Sequence, residues 1–242
     1  MIIPAYKPLG LSSHQLAKQI GDKHGEKATH TGTLDPMAEG VLVVLTGEDR
    51  FKKGEYSDWQ KTYRFQILFG ISTDSHDLLG ITKNIDNKKI NLDNLKKIIP
   101  DFVGKQIQAV PSFSAQRVGG RSGFDLAKEN KKFDLQKNNI EIFSLKIIDV
   151  LKDISNKELL KYINRTISLV EGDFRQQEIL NNWKNILEKE CSLQLITLET
   201  VTSKRTYIRS LVNNIGQKLQ TPATTFSIIR TQNGPFSIKD CS

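Results

Sequence analysis

The stretch His30-Thr31-Gly32-Thr33-Leu34-Asp35-Pro36-Met37-Ala38-Glu39-Gly40, followed by Val41-Leu42-Val43-Val44-Leu45, decides how this chain is read. The apolar run between Gly40 and Thr46-Gly47 has the length and β-branched content of a short buried strand, so the residues before it are anchored directly on the core. Those residues form a stiff turn. Pro36 fixes its own φ and disfavours the helical region for Asp35, while Gly32 and Gly40 allow conformations and close approaches that a Cβ forbids. The pattern predicts a single carboxylate, Asp35, presented to a ligand from a loop with little freedom of its own. An isolated Asp-Pro would be a turn and nothing more.

On either side of this loop the apolar spacing alternates between helical and extended periods. Ser12 and Gln15 form a capping-box pattern, and Leu16, Ala17 and Ile20 share a helical face before Gly21 and Gly25. From Lys61 to Phe69, Tyr63, Phe65, Ile67 and Phe69 fall on one face of a strand and Arg64 and Gln66 on the other. Leu92, Leu95, Ile98, Ile99 and Phe102 predict a helix, as do Leu211, Val212, Ile215 and Leu219 in a segment from Tyr207 to Leu219 capped by Thr206. Strands are expected around Ile140, Ile142 and Leu145 to Val150, from Ser192 to Val201, and in a short piece from Phe226 to Arg230. Gln177 to Glu190 carries Ile179, Leu180, Trp183, Ile186 and Leu187 at helical spacing. Residues 112–132, with Gly119, Gly120 and Gly123, read as a mobile loop. Pattern alone gives mixed α/β or α+β architecture.

Composition narrows the partners. With 242 residues and 38% hydrophobic content the chain can bury a sizeable core, and its formal net charge of +8 favours a polyanion. The charge is unevenly spread: Val201 to Ile238 holds Lys204, Arg205, Arg209, Lys218 and Arg230 and no acidic residue, so a phosphate-facing surface is expected to draw on the C-terminal third. Cys191 and Cys241 lie far apart with no metal-ligand spacing, which argues against a disulfide framework or a zinc site and for a reducing, cytoplasmic setting. The first residues, interrupted by Pro4, do not read as a signal peptide. No apolar run approaches the length of a membrane span, and no membrane role is expected.

The stretch His30-Thr31-Gly32-Thr33-Leu34-Asp35-Pro36 with Ala38 and Gly40 resembles the catalytic motif of the TruB family of pseudouridine synthases. Further short matches appear in the family's order. They are Lys7-Pro8-Leu9-Gly10-Leu11-Ser12-Ser13, Lys61-Thr62-Tyr63-Arg64-Phe65, Thr73-Asp74-Ser75 with Asp77 and Gly80, Pro111 to Arg117, and Thr206-Tyr207-Ile208-Arg209, so the likeness runs from about residue 3 to about residue 236. The resemblance implies a pseudouridine synthase fold, a largely antiparallel twisted sheet with flanking helices, in a single catalytic domain over residues 1–242. It implies an RNA-binding thumb at 112–132 and an added helical segment at about 171–190, where the family pattern has no counterpart. The C-terminal PUA domain of many relatives is expected to be missing.

The implied activity is isomerisation of uridine 55 in the T-loop of tRNA, acting on a flipped-out uridine. The reaction breaks the bond from ribose C1′ to N1 and rejoins the ring through C5, so no cofactor and no metal is called for. By resemblance Asp35 is the nucleophile or base, Tyr63 lies against the target base, and Arg209 is the partner of Asp35. Lys7 and Tyr207 would support the pocket, and His30 would keep the nucleotide out of the stack. Ile228 would supply an apolar contact to the base, and Arg117, Arg121 and Arg230 would grip RNA. The expected partner is the tRNA T-arm, bound by a monomer with no protein partner. Three departures stand out: Ala5-Tyr6 before Lys7-Pro8, Arg205 where the family has glycine, and Ile228-Ile229-Arg230 in place of Leu-Arg-Arg. Two other readings remain open, a tRNA-binding folding factor that needs no catalysis and a synthase acting on another RNA.

Overall fold

Alternation is strictest in Lys61–Phe69, and in the computed structural model these residues form a strand at the centre of the main sheet. The structure describes residues 1–129, 131, 133, 134 and 136–241, so positions 130 and 132 of the expected thumb lie outside it. The chain opens with β1 (Ile2–Lys7), α1 (Ser13–His24), β2 (Ala28–His30) and β3 (Ala38–Thr46). A short α2 (Lys53–Ser57) leads into β4 (Lys61–Phe69), the hairpin β5 (Ile71–Thr73) and β6 (Thr82–Ile85), α3 (Leu92–Ile98) and β7 (Gly104–Ala109). Next come β8 (Arg117–Val118), β9 (Arg121–Ser122), α4 (Gly123–Lys128), β10 (Lys137–Ile147) and β11 (Lys152–Ile154). The rest is α5 (Asn156–Ile167), α6 (Gln176–Leu187), β12 (Leu193–Thr202), α7 (Ile208–Leu219), β13 (Ala223–Asn233) and β14 (Phe236–Ser237).

The main path of the sheet runs β1-β3-β13-β4-β12-β10-β7. Every pairing along it is antiparallel except β3 with β13, which is parallel. This is the largely antiparallel sheet that the family resemblance implies, within the mixed architecture that the pattern gives. Phe65 sits opposite Leu198 on one side and Ile228 on the other, and cross-strand apolar contacts of this kind stabilise the centre of a sheet. α7 lays Leu211, Val212 and Ile215 on the face carrying Phe65 and Ile67. On the other face α5 and α6 bury Leu159, Ile163, Ile179 and Trp183 against Leu68, Leu195 and Phe226. A bulge at Phe226 lets β13 serve both layers, since the extra residue shifts side-chain parity between Thr225 and Ser227. Phe226 thus joins the α5–α6 layer and Ile228 the α7 layer.

Several elements differ from the sequence reading. Ile2–Lys7 is an edge strand on β3, a place where Pro4 is tolerated because its missing N–H is not needed inside a sheet. The helical segment expected at about 171–190 is half of a pair. α5 precedes it, opened by a capping box of Ser155 and Glu158. The strand expected through Val150 ends at Ile147, and the short one at Phe226–Arg230 extends over eleven residues, Ala223–Asn233. Thr206 does not cap α7, because its hydroxyl donates to Ser203 O at 3.0 Å. The cap position is Tyr207, whose N–H donates to Gln108 Oε1 at 2.8 Å, a partner ninety-nine residues away. Residues 112–132 hold a two-stranded hairpin turned at Gly119 and Gly120 and then α4, whose Ser122 accepts from Asp125 N.

The parallel pairing of β3 and β13 requires glycine at position 40. Gly40 has φ +109°, and a Cβ there would sit 2.2 Å from the carbonyl oxygen of Arg230, its partner in the register. Gly40→Ala is therefore expected to cost on the order of 3 kcal/mol or more, strain and backbone overlap together. Gly25 also has positive φ but nothing within 4 Å of an added Cβ, so Gly25→Ala is expected to cost only about 1–2 kcal/mol. Chemical denaturation of the two variants checks the difference, and equal costs would contradict the packing argument.

Candidate active site

The Asp35 loop is fixed from both ends before any charged partner is considered. Ala38 N donates to Asp35 O at 2.9 Å, closing a turn around Pro36 and Met37. Ser13, at the start of α1, clamps Leu34 twice: its Oγ accepts from Leu34 N at 2.7 Å and donates to Leu34 O at 2.9 Å. Gly10 N donates to Pro36 O at 2.8 Å, so the turn after β1 holds the loop as well. That turn is tied by Lys7, which is fully buried and whose Nζ donates to Pro8 O and Leu11 O at 2.8 and 2.6 Å. Burial pulls the Lys7 pKa down to about 8, against the opposing pull of Asp35 and Glu39. Arg230 lies on the other side of the loop, 1% exposed, with Nε donating to Val41 O at 2.7 Å and Nη2 to Gly32 O at 3.1 Å.

Arg209, in the first turn of α7, meets the Asp35 carboxylate. Its Nε donates to Asp35 Oδ2 at 2.8 Å, its Nη1 to Ser75 O at 2.8 Å and its Nη2 to Phe113 O at 2.9 Å. A second carboxylate, Asp77, lies 3.7 Å from the same Nε. Burial pushes the Asp77 pKa up to about 6, although Arg209, the Ser75 hydroxyl and Leu79 N all favour its charged form. Burial also works against the Arg209 charge, and Asp35 and Asp77 more than offset it. Side-chain exposure separates the three groups: Arg209 is 3% exposed, Asp77 9% and Asp35 30%. Only Asp35 therefore shows a substantial face to solvent. Removing the arginine would leave two carboxylates facing each other without a countercharge, a change that commonly costs about 3–5 kcal/mol where a buried pair is broken.

That exposed face opens on a cleft of about 950 Å³. Asp35, Tyr63, Tyr207, Ile228 and Arg230 line it, together with Lys53, Lys61, Lys204 and Arg205. Tyr63 and Arg230 are register partners on β4 and β13, which sets the ring and the guanidinium side by side at the cleft floor. Burial raises the Tyr207 pKa, and the nearby Asp35 charge adds to the shift. A second cavity of about 400 Å³ lies on the far side of Asp35, lined by His30, Arg117, Phe113, Phe124 and Phe174. Burial, with Lys53 and Arg230 adding to it, holds the His30 pKa down to about 4, so this ring is uncharged at neutral pH.

The residues singled out from the sequence thus divide. Asp35 and Arg209 are in contact, Tyr63, Tyr207 and Ile228 share their cleft, and Lys7 holds the loop from behind. Arg230 differs from the expected phosphate grip, because its guanidinium is buried and bonded to two backbone carbonyls. Lys218, part of the same basic stretch, pairs with Asp101 at 2.5 Å and does not line the cleft. Arg121 is exposed on the β8–β9 hairpin and paired with Glu129. Two charged residues not singled out belong to the site by position. Asp77 stands beside Arg209. Lys61 is 4% exposed at the cleft floor, bonded to Ser57 O and Trp59 O at 2.6 and 2.5 Å, with a pKa that burial pulls down to about 8. Their signal was a place inside short matched motifs rather than any pattern of their own. Among the described residues no group of three or more His, Cys, Asp or Glu is placed to hold a metal ion, and no helix is long and apolar enough to cross a membrane.

Comparison with known proteins places the chain in a family. The pattern of the N-terminal domain of TruB family pseudouridylate synthases matches residues 18–168, more than half of the chain. The tRNA pseudouridine synthase B of Aquifex aeolicus is 35% identical over 143 residues, 59% of this chain and 50% of that protein. The protein of the same name from Treponema denticola is 30% identical over 249 residues, covering 100% of this chain and 62% of its own length. The chain thus spans half to about two thirds of the length of these relatives. Among solved structures, a chain of a Cbf5-Nop10-Gar1 complex superposes with a TM-score of 0.59 at 18% identity, covering 98% of this chain and 49% of that one, which shows a shared fold. The chain belongs to the TruB family of pseudouridylate synthases.

Proposed function

We propose that this chain converts uridine to pseudouridine in the T-loop of tRNA, with Asp35 acting as nucleophile or base on a uridine extruded into the cleft. The observation that carries the reading is a carboxylate with two different sides, one oxygen bonded to a buried guanidinium and the group as a whole 30% exposed to an open basic cleft. Such a group is held in one orientation while remaining able to reach a substrate. The chemistry suits it. The C1′–N1 bond breaks, a C1′–C5 bond forms, and the proton at C5 is replaced by one gained at N1, so nothing is oxidised and no group leaves. Tyr63 and Ile228 provide an aromatic and an aliphatic wall for a detached uracil, and base stacking on an aromatic ring contributes roughly 1–3 kcal/mol in single-stranded sites. A base inside a folded loop must leave its stack before Asp35 can reach it. The relatives' name, tRNA pseudouridine synthase B, supports tRNA as the substrate.

Mapping pseudouridine in tRNA incubated with the purified chain tests this directly. Conversion of one T-loop uridine is expected, and Asp35→Asn is expected to bind RNA normally while losing turnover by more than about 1,000-fold, since an amide is a poor nucleophile and a poor base. RNA binding with no base conversion by the unmutated chain would instead favour a tRNA-folding role. Substantial conversion by folded Asp35→Asn would remove the carboxylate from the mechanism.

Arg205 yields a second expectation. It occupies the left-handed region at φ +63°, where a side chain is strained, yet it lines the cleft. Arg205→Gly should leave stability unchanged or raised by about 1 kcal/mol, because strain is relieved. RNA binding should weaken across sequences, with the salt slope reduced by somewhat under ~1 if one phosphate contact is lost. An unchanged salt slope would show that this arginine does not touch the backbone of the RNA.

A further inference from the structure

The two outer nitrogens of Arg209 bond to carbonyls in two separate segments, Ser75 O after β5 and Phe113 O before the thumb hairpin. Neither carbonyl belongs to α7, so the orientation of Arg209 depends on how these segments are held relative to each other. One side chain touches both. Arg175, at the tip of the α5–α6 helical hairpin, donates from Nη2 to Asp74 Oδ2 at 3.0 Å, next to Ser75 in the chain. Its guanidinium carbon also lies 4.5 Å from the centroid of the Phe113 ring. The ion pair is sheltered, with both side chains 15% exposed, and Asp74 in turn accepts from Ile81 N at 2.9 Å.

We propose that Arg175 is a positioning residue for the Asp35–Arg209 pair, clamping together the two backbone segments whose carbonyls orient Arg209. The proposal rests on the reading of Asp35 and Arg209 as the catalytic pair. Three further features point the same way. The helical hairpin grips the same loop elsewhere, through Trp183 Nε1 donating to Leu78 O at 3.1 Å and Asn182 Oδ1 accepting from Thr82 N at 2.9 Å and Thr82 Oγ1 at 2.8 Å. The segment that carries Ser75 and Asp77 is therefore fastened to the hairpin at three places. Next, Phe174 packs against Phe124, which meets Phe113 edge-on, so the base of the thumb and the tip of the hairpin form one aromatic cluster. Last, Arg175 has φ +62°, a conformation that glycine would adopt without strain. A strained backbone at a position whose side chain makes both contacts indicates that the side chain is what the position supplies.

The strain also provides the decisive variant. Arg175→Gly deletes the guanidinium while relieving the backbone, so folding stability should be kept. Single-turnover pseudouridine formation should fall by about tenfold or more, as a misplaced catalytic group commonly costs, with RNA affinity within about twofold of the unmutated chain. Arg175→Lys, which retains a charge for Asp74 but no planar fork over Phe113, should recover part of the rate. Asp74→Asn should lower the rate similarly, and the double variant Arg175→Gly with Asp74→Asn should be no worse than either alone. A measurement independent of turnover accompanies these: the Nε–H resonance of Arg209, assigned by its loss in Arg209→Lys, should shift and exchange faster with solvent in Arg175→Gly. If the unmutated chain makes no pseudouridine, the functional reading fails while this resonance still tests the clamp. An unmoved resonance, or turnover by Arg175→Gly within about twofold of the unmutated rate, would overturn the proposal.

Discussion

The bond from Arg209 Nε to Asp35 joins residues 174 positions apart, and the surrounding fold is arranged to make that contact in one geometry. A guanidinium on a side chain only 3% exposed is costly unless its donors are matched, and here two carbonyls and one carboxylate take them. The carbonyls belong to segments outside α7, so the arginine ties the helix to three other parts of the chain. The Asp35 side chain is left 30% exposed to the cleft, so the ion pair keeps a face that a ligand can reach. A planar fork is needed for this, because a single ammonium cannot bond along three directions in one plane.

The second element of the site is a set of buried cations that form no ion pair with a carboxylate among the described residues. Lys7, Lys61 and Arg230 are each at most 4% exposed, and their hydrogen bonds run to backbone carbonyls. Carbonyls satisfy the donors without cancelling the charge. Three positive groups are thus fixed behind and beneath the Asp35 loop, and burial lowers the pKa of both lysines to about 8. Fixed dipoles and charges of this kind act on a developing charge without reorganising during the reaction. They also bias the floor of the cleft toward an anion, and Arg205 adds a further positive charge to its lining. The twisted sheet is what permits this, since the β3–β13 pairing brings Arg230 beside Gly40 and the β4–β13 pairing brings it beside Tyr63.

Local signals in the sequence were sufficient for much of this. The run from Val41 to Leu45, the alternation in Lys61–Phe69 and the Ser12–Gln15 box all act within a few residues, and each element formed as its pattern predicted. α5 was equally legible, with Leu159, Ile163 and Ile167 at helical spacing behind the capping box of Ser155 and Glu158. Other features have no local signature. The N–H at the cap position of α7, that of Tyr207, is held by the distant Gln108, and Thr206, which has the chemistry of a cap, bonds to Ser203 O. Lys7, Lys61 and Arg230 read as surface cations by residue type, and only the tertiary structure shows them buried on carbonyls. Arg205 and Arg175 hold left-handed backbone that a sequence assigns to glycine. The contact between Asp35 and Arg209 is likewise a property of the fold, which no spacing encodes.

Arg209→Lys tests the central claim most directly, because it preserves charge and removes the fork. Its pseudouridine formation on tRNA should be lower than that of the unmutated chain by about 100-fold or more, with RNA affinity and the folded structure retained. Turnover near the unmutated rate at neutral pH would show that a point charge beside Asp35 is enough and that the orientation set by Ser75 O and Phe113 O is not what the site depends on.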